Sequence, residues 1–216
     1  KGAFVVAYSG NLGRAHDIET FLDAMAITDR AASGEGRAEA PPCRSILWLF
    51  IGGGAQYEAL AAEARKRGLG SLLLKPYQPR ERLAESLSAA DVHLISLRPE
   101  LEGLIVPSKL YGVLAAGRAS IFIGDLQGEI AAVLARTGSG LSVPQGDGKA
   151  LAQAVQDLAA DPQRCHRLGG NARQAFEQEY DLRHALQRWQ DLLGRLSSDE
   201  VPQTSKCEEQ SKVAAR

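Results

Sequence analysis

Short apolar runs alternate along the chain with longer stretches in which apolar residues recur every three or four positions. The short runs predict six strands, over residues 4–10, 45–54, 71–77, 91–97, 118–124 and 139–143. The periodic stretches between them predict helices over residues 17–27, 55–67, 80–90, 107–116 and 127–137. Residues 28–44 are polar, interrupted by Gly and Pro, and are expected to form a loop. Alternating strands and helices are typical of an α/β fold with a doubly wound parallel sheet, because parallel strands need right-handed crossovers.

The C-terminal part of the chain continues with helices and then loses its pattern. Helices are predicted over residues 146–161, from Pro162 onwards, and over residues 181–196, where five apolar residues form one stripe. We therefore expect one domain over residues 1–196. Residues 197–216 are polar and aperiodic, and we expect them to form a disordered tail.

The composition is that of an ordinary globular protein and argues against several functions. The 216 residues carry a formal net charge of −1, so no global field attracts nucleic acid, and we expect no nucleic-acid partner. The three cysteines and four histidines are dispersed, which predicts neither a disulfide framework nor a metal site. His93 lies in the apolar run DVHLISL and is interpreted as a packed strand residue rather than a ligand.

The sequence shows no targeting or membrane signal. No apolar run approaches the ~18 residues that a transmembrane helix requires, and no signal peptide is visible. We therefore expect a cytoplasmic protein. The chain begins without Met and runs directly into a predicted strand, so we expect it to be a piece of a longer protein.

The stretch VPSKLYGVLAAG, residues 106–117, begins a predicted helix with a cation and no acid. The N-terminal end of a helix is positive, so Lys109 is unfavourable there unless an anion binds. Ser108 could cap this helix or offer its hydroxyl to a ligand. The pattern favours an anion site at Ser108 and Lys109, and the alternative is a lysine extending into water beside an ordinary helix start.

Two glycine-rich loops follow the first two predicted strands. The first, GNLGR, contains Gly10, Asn11, Gly13 and Arg14; glycines allow backbone N–H groups to approach an anion, and the arginine adds charge. Its alternative is a tight turn with a solvated arginine. The second, residues 52–54, lacks the third glycine and the distal acid of a dinucleotide fingerprint, so we interpret it as a structural turn.

Three further side chains are candidates for ligand contacts. Tyr77, in the Lys-Pro-Tyr loop at the end of the third predicted strand segment, could hold a nucleobase or lie free on the surface. Glu100 and Glu102, just before the anion site, could bind sugar hydroxyls or simply decorate a loop. No nucleophile–histidine–acid set is evident, so no catalytic residue is assigned.

Several segments occur in an order that resembles a known family. They are YSGNLG (8–13), FIGGGAQYEAL (50–60), LKPYQPRERLAESLSAADVHLISL (74–97), VPSKLYGVLAAGR (106–118) and GSGLSVPQGDGKALAQAVQDLAADPQRCHRLGGNAR (138–173). Over residues 4–196 the chain resembles the C-terminal, donor-binding domain of a glycosyltransferase of family 4 (group 1), which has the GT-B fold. It is most similar to the bacterial surface-polysaccharide branch with a P-S-K-x-Y helix.

The resemblance implies that the chain binds a nucleotide diphosphate sugar, expected to be UDP-linked, with no metal ion or other cofactor. It implies that the loop from Gly10 to Gly13, together with Arg14, Ser108 and Lys109, holds the diphosphate, and that the base lies near Tyr77. The sugar would be transferred with retained configuration to a glycan or lipid-linked acceptor in polysaccharide or lipopolysaccharide biosynthesis. The acceptor would bind an absent N-terminal half, which could also attach the enzyme to the inner membrane face.

The sequence departs from the family at two acidic positions, where Leu104 and Gly112 stand instead of glutamates. This leaves other functions open. One is a nucleotide-sugar epimerase or hydrolase of the same fold, and another is a non-catalytic nucleotide-binding or scaffold domain. The family also places an Arg and a Lys in the first helix turns, whereas only Arg14 is matched and His16 stands near the other position.

Overall fold

The computed structural model describes residues 2–32 and 44–197 and has an α/β architecture. The strands are β1 (Phe4–Asn11), β2 (Ile46–Gly53), β3 (Leu72–Lys75), β4 (Val92–Ser96), β5 (Ala119–Gly124) and β6 (Gly140–Pro144). The helices are α1 (Glu19–Ala32), α2 (Tyr57–Lys66), α3 (Leu83–Ser88), α4 (Lys109–Ala115), α5 (Glu129–Thr137), α6 (Gly148–Ala160), α7 (Pro162–Ala175) and α8 (Leu182–Ser197). Short 3₁₀ turns span Arg80–Arg82 and Pro99–Leu101, and a π-turn spans Phe176–Tyr180.

The six strands form one sheet in the order β3-β2-β1-β4-β5-β6. Every neighbouring pair is parallel, which confirms the predicted doubly wound parallel sheet. The chain winds outward from β1 to β3 and then returns to the other side of β1 with β4. The carboxyl ends of β1 and β4 therefore border the switch in strand order, where ligands bind in open sheets of this kind.

The central strands are buried because helices cover both faces of the sheet. Every residue of β4 and of β5 is buried. On one face, the apolar side chains of α1 and α6 pack against β1, β2 and β5 around the aromatic residues Tyr8, Phe21 and Phe50. On the other face, α4, α5 and α7 cover Ile95 and Phe122. The near-continuous apolar runs of these strands are the pattern that double coverage requires.

His93 is a packed residue of β4, as its apolar neighbours predicted. Its side chain is 1% exposed, and Nε2 donates to the Leu87 carbonyl oxygen over 2.8 Å. Burial lowers the pKa of this imidazole to about 4, so the ring is neutral at pH 7.

Two predicted elements differ from the structure. Helix α1 continues through Ala32, so residues 28–32 are helical rather than loop. The reason is that Thr28 belongs to the buried face of α1, where its hydroxyl accepts from Trp48 Nε1 over 3.1 Å. The rest of that predicted loop, residues 33–43, lies outside the described residues. The predicted helix over residues 80–90 begins with a 3₁₀ turn and is α-helical only over Leu83–Ser88.

The chain divides into two compact units, Lys1–Tyr180 and Asp181–Arg216. The sheet and helices α1 to α7 belong to the first unit. The second contains α8, whose predicted apolar stripe is present and exposed, with Leu182 and Leu196 each 68% accessible. Residues 198–216, the greater part of the predicted tail, lie outside the described residues. Over residues 2–32 and 44–197, none of the helices combines the length and hydropathy that crossing a bilayer requires.

Candidate functional site

A cavity of about 650 Å³ opens at the carboxyl ends of β1 and β4. Two segments line it: the glycine loop, defined as Gly10–Arg14, and the segment 105–109 that leads into α4. Tyr77 and Gln78 from the loop after β3, together with side chains of α3, complete the wall. The volume lies within the range of ordinary small-molecule sites. The cavity therefore coincides with the place that the topology favours for a ligand.

The glycine loop is held in place by hydrogen bonds to neighbouring segments. Gly10 has φ +127°, a conformation that glycine adopts without strain. The Leu12 N–H donates to the Gly53 carbonyl over 2.7 Å. The side-chain amide of Gln56 donates to the carbonyls of Gly13, over 3.0 Å, and of His16, over 2.6 Å. The backbone that borders the cavity is thus preorganised rather than free to follow a ligand.

The second glycine cluster, residues 52–54, packs beneath the glycine loop rather than lining the cavity. A Cβ on Gly52 would overlap the Gly10 carbonyl oxygen, and one on Gly54 would lie 2.6 Å from the Leu12 carbonyl oxygen. Both residues have positive φ. These glycines allow the adjoining ends of β1 and β2 to touch backbone to backbone, which agrees with a structural role. Gly52 and Gly53 belong to strand β2 rather than to the predicted turn.

Lys109 is the first residue of α4, and its ammonium lies in the cavity wall beside Gly10. Nζ lies 3.8 Å from the centroid of the Tyr8 ring and also donates a hydrogen bond to the Tyr8 hydroxyl. No carboxylate of the described residues forms an ion pair with it. Burial lowers the pKa of Lys109 from its ordinary value of 10.5 to about 8. The cavity thus contains a partly desolvated cation without a negative partner.

His16 also lines the cavity, next to the same tyrosine. Its Nδ1 donates to the Ser96 carbonyl over 2.7 Å, and its ring meets the Tyr8 ring edge-on with centroids 5.5 Å apart. A carbonyl can only accept, so Nδ1 carries the proton of the neutral ring. Burial and then the charge of Lys109 lower the pKa of His16 to about 4. At pH 7 His16 is therefore neutral, and Lys109 carries the positive charge of this pair.

The structure brings together most of the residues predicted for the site. Those that line the cavity are Gly10, Asn11, Gly13, Arg14, Tyr77, Ser108 and Lys109. Arg14 and Ser108 are exposed, and the Ser108 hydroxyl caps no N–H group of α4. Tyr77 is 59% exposed, and its ring lies over Gly53. Their roles toward a ligand stay predictions.

Glu102 and Glu100 are not among the residues that line the cavity. The Glu102 carboxylate turns to the start of α5, where Oε1 accepts from the Glu129 N–H over 2.8 Å. An acid at a helix N-terminus is stabilised by the unpaired N–H groups and the dipole. The geometry thus gives Glu102 a structural contact, and no contact in the structure supports the sugar-binding role predicted for it.

Sequence reasoning missed Tyr8 and Gln56 and noted His16 only as a departure from the family. Tyr8 is 1% exposed, and an aromatic residue in a buried strand has no signal that separates it from ordinary core. Gln56 acts through its side-chain amide on a loop 40 residues away in sequence. Such a contact follows from strand order rather than from any local pattern.

The cavity contains no acid at either of the two departures from the family. Gly112 lines it, whereas the Leu104 side chain is 77% exposed and lies outside the lining. Among the described residues, no Asp or Glu lines the cavity. The same part of the chain holds no group of three or more His, Cys, Asp or Glu side chains placed to bind a metal ion.

Comparison with known proteins links this geometry to one family. The sequence model for glycosyl transferases group 1 matches residues 1–175. A probable glycosyltransferase of Pseudomonas aeruginosa, WbjE, is 28% identical over 202 residues, which are 92% of this chain and 46% of that relative. The chain therefore spans about half the length of this curated relative.

Solved structures show the same fold at lower identity. HepE of Anabaena, crystallised with UDP and glucose, superposes with a TM-score of 0.68 and 18% identity, covering 91% of this chain and 49% of HepE. WaaG, a glycosyltransferase involved in lipopolysaccharide biosynthesis, superposes with a TM-score of 0.66 and 15% identity, covering 89% of this chain and 47% of WaaG.

Proposed function

Because the chain belongs to the group 1 glycosyl transferases, we propose that it binds a nucleoside diphosphate sugar as the donor for glycosyl transfer. The diphosphate lies between the glycine loop and Lys109. The residues that hold it are Gly10, Asn11, Gly13, Arg14, Ser108 and Lys109. The nucleobase lies against Tyr77, whose exposed ring can stack on a base.

The observation that carries this proposal is the unpaired ammonium of Lys109 in the cavity. Burial of a cation without a negative partner costs free energy, and such a residue in a cleft marks a candidate functional site. A diphosphate would supply the missing charge, and charge-assisted bonds to phosphate are the strong ones. The neighbouring glycine loop provides backbone that an anion can approach closely.

The proposed chemistry is transfer of the sugar with departure of the nucleoside diphosphate. As the bond to the sugar breaks, negative charge grows on the phosphate oxygen that leaves. Lys109 and Arg14 stabilise that charge, and their interaction strengthens in the transition state, which is where binding energy accelerates a reaction. In this proposal the configuration at the sugar is retained, and no metal ion takes part.

UDP is the proposed nucleotide, because HepE, which shares the fold, was crystallised with UDP and glucose. The acceptor site is proposed to lie in a further domain, because the chain spans only about half of WbjE. Polysaccharide or lipopolysaccharide assembly at the inner face of the cytoplasmic membrane is the proposed setting. Its support is the likeness to WaaG, which is involved in lipopolysaccharide biosynthesis.

A second candidate is a nucleotide-binding domain without catalytic activity. The observation that favours it is the cavity wall without a carboxylate, at Gly112 in particular, among the described residues. An epimerase or hydrolase needs a base for proton abstraction or water activation. Among the described residues the cavity wall offers no carboxylate for this, and its histidine, His16, has a lowered pKa and is a weak base. Measurement of binding and of transfer separates these candidates.

The first experiment is calorimetric titration of the purified chain with UDP, UMP and a nicotinamide dinucleotide at pH 7. We expect UDP to bind and UMP to bind more weakly, since it lacks one phosphate. Lys109→Ala should lose one charge-assisted contact, which weakens UDP binding about 10- to 150-fold. Lys149→Ala is the matched control, because Lys149 is exposed on α6 and outside the cavity.

The second experiment tests catalysis directly by incubating the chain with UDP-sugars and acceptor glycans. We expect nucleotide binding without sugar transfer, because the acceptor site is proposed to lie in a further domain outside these residues. Sugar transfer by the 216 residues alone would refute the proposal that the donor and acceptor sites lie in different domains. Failure of every nucleotide to bind, or equal UDP affinity of wild type and Lys109→Ala, would refute the proposed donor site.

A further inference from the structure

We propose that Tyr8 is a positioning residue that holds the Lys109 ammonium in place for the diphosphate without neutralising it. This inference rests on the proposed function, because it assigns a role toward the nucleotide that Lys109 binds. It concerns a side chain in the core beneath the cavity wall. Tyr8 is 1% exposed, so a role in binding is not evident from the surface of the site.

The Tyr8 hydroxyl connects the lysine to the glycine loop. It donates to the Asn11 carbonyl over 2.8 Å and accepts from Lys109 Nζ. A phenol has one proton to donate, so the bond to Asn11 leaves its lone pairs directed to the ammonium. Through hydrogen bonds, this one hydroxyl links Lys109 on α4 to Asn11 at the end of β1. These are the two segments between which the diphosphate is proposed to lie.

The ring of Tyr8 is a rigid support. It stacks on Phe50 with centroids 5.5 Å apart and an interplanar angle of 17°, and it packs on Phe21 with centroids 6.0 Å apart. Lys109 Nζ lies against this ring, and the electron-rich face of an aromatic ring attracts a cation. Because the tyrosine cannot move, the flexible lysine is held near one position before the ligand arrives.

A neutral partner suits a cation that must bind an anion. Burial raises the pKa of the Tyr8 hydroxyl above its usual range, so it remains uncharged throughout the pH range in which proteins are stable. A carboxylate at this place would neutralise Lys109 and compete with the phosphates. The phenol satisfies one ammonium N–H and leaves the full charge to the ligand.

Other titratable or charged side chains near Lys109 come from the segments around it. On the cavity side these are His16, which is neutral at pH 7, Arg14 and Tyr77. Lys109 is the one charged residue of α4. The acids of the π-turn that packs on α4, Glu177 and Glu179, bond to Arg173 and Arg136. The ammonium therefore depends on Tyr8 rather than on a neighbouring acid.

The test is a double-mutant cycle with UDP as the probe. The proteins are wild type, Tyr8→Phe, Lys109→Met and the double variant, with Tyr180→Phe as control because its hydroxyl bonds to Arg136 outside the cavity. We expect Tyr8→Phe to weaken UDP binding about tenfold when Lys109 is present. In the Lys109→Met background the loss should be much smaller, because only the bond from the Tyr8 hydroxyl to the Asn11 carbonyl is removed there. Tyr180→Phe should bind as wild type does.

The pH dependence gives a readout that loss of packing would not move. Wild-type affinity should fall as the pH rises through about 8, because Lys109 then loses its proton. In Tyr8→Phe the ammonium lacks an acceptor and releases its proton more easily, so this fall should begin at lower pH. The same shift should appear in the nucleotide-free protein when the ε-methylene of Lys109 is titrated by NMR.

Two results would overturn the inference. One is an equal loss of UDP affinity on Tyr8→Phe in both the lysine and the methionine background, which would indicate a general effect on the fold. The other is an unchanged Lys109 titration in the free Tyr8→Phe protein. Absence of UDP binding by wild type is a different result: it refutes the proposed function, whereas the NMR titration still decides whether Tyr8 supports Lys109.

Discussion

Replacing Lys109 by methionine should make the protein more stable while it weakens binding of the nucleotide. The substitution keeps an unbranched side chain of similar length and removes the charge. In the folded protein the lysine is partly desolvated and has no acidic partner among the described residues. A methionine at this place would pack on the Tyr8 ring, and a thioether contacts aromatic rings favourably.

The size of the gain follows from the pKa of Lys109. Burial moves it from 10.5 to about 8, which corresponds to a cost of about 3 kcal/mol for the charged form. Methionine would also lose the hydrogen bond that the lysine side chain donates to the Tyr8 hydroxyl, which offsets about 1 kcal/mol of this gain. The expected net gain of Lys109→Met at pH 7 is therefore about 2 kcal/mol, or a rise of about 4–8 °C in the melting temperature for a unit of this size.

The gain should depend on pH in a defined direction. Below the folded pKa of about 8, lysine is charged in both the folded and the unfolded chain, and the full cost is present. Between about 8 and 10.5 the unfolded chain binds more protons than the folded one, so wild-type stability rises with pH. The advantage of Lys109→Met should therefore be constant below pH 8 and shrink above it.

The assay is urea unfolding of wild type and Lys109→Met between pH 7 and about pH 10, with UDP titration of the same samples. Lys149→Met is the control, since Lys149 is exposed on α6. A variant that is less stable than wild type at pH 7 would refute the reasoning. So would a difference in stability that stays the same at every pH.

Three further substitutions test other parts of the structure. Gly52→Ala should lower the free energy of unfolding by more than about 3 kcal/mol, because the new Cβ would overlap facing backbone at a residue with positive φ. Gly70→Ala is the control: it has open space around it and should leave urea unfolding nearly unchanged. His93→Gln keeps a donor for the Leu87 carbonyl. As the pH falls from 6.5 to about 4, wild type should lose up to about 3 kcal/mol of stability, because only the unfolded imidazole binds a proton in that range. His93→Gln should not show this loss. Gly112→Ala should stabilise α4 by about 0.5–1 kcal/mol, because glycine is unfavourable within a helix. The new Cβ would lie 3.5 Å from Leu87 Cδ1, an ordinary contact, so urea unfolding should show no loss of stability.

Local patterns were sufficient to predict the elements and the class of fold. Strands β4 and β5 are buried along their whole length and appear in the sequence as continuous apolar runs. Helix α7 begins at Pro162 as predicted, with Asp161 accepting from the Arg164 N–H over 2.8 Å. The prediction was wrong where a local signal conflicted with packing. Thr28 begins the stretch predicted as a loop, but its side chain is buried on the inner face of α1 and the helix continues past it.

Seven residues singled out in the sequence line the cavity, but their contacts were not predictable, and their roles toward a ligand stay predictions. The mismatch of Lys109 with a helix start is a local feature, and so are the glycines after β1 and β2. Glu102 shows the limit of this reasoning. The sequence left a sugar contact and a surface loop position open for this acid, and its carboxylate in fact meets the start of α5, 27 residues further along the chain.

The alternation of apolar runs and periodic stretches was enough to specify strands, helices and a parallel sheet, because these depend on neighbouring residues. Strand order was not specified in this way, and it brings β1 beside both β2 and β4. The contact between Lys109 and Tyr8 joins residues 101 positions apart. Whether a buried cation meets a carboxylate, water or a phenol depends on such long-range packing, because its partner comes from a segment that no local period connects to it.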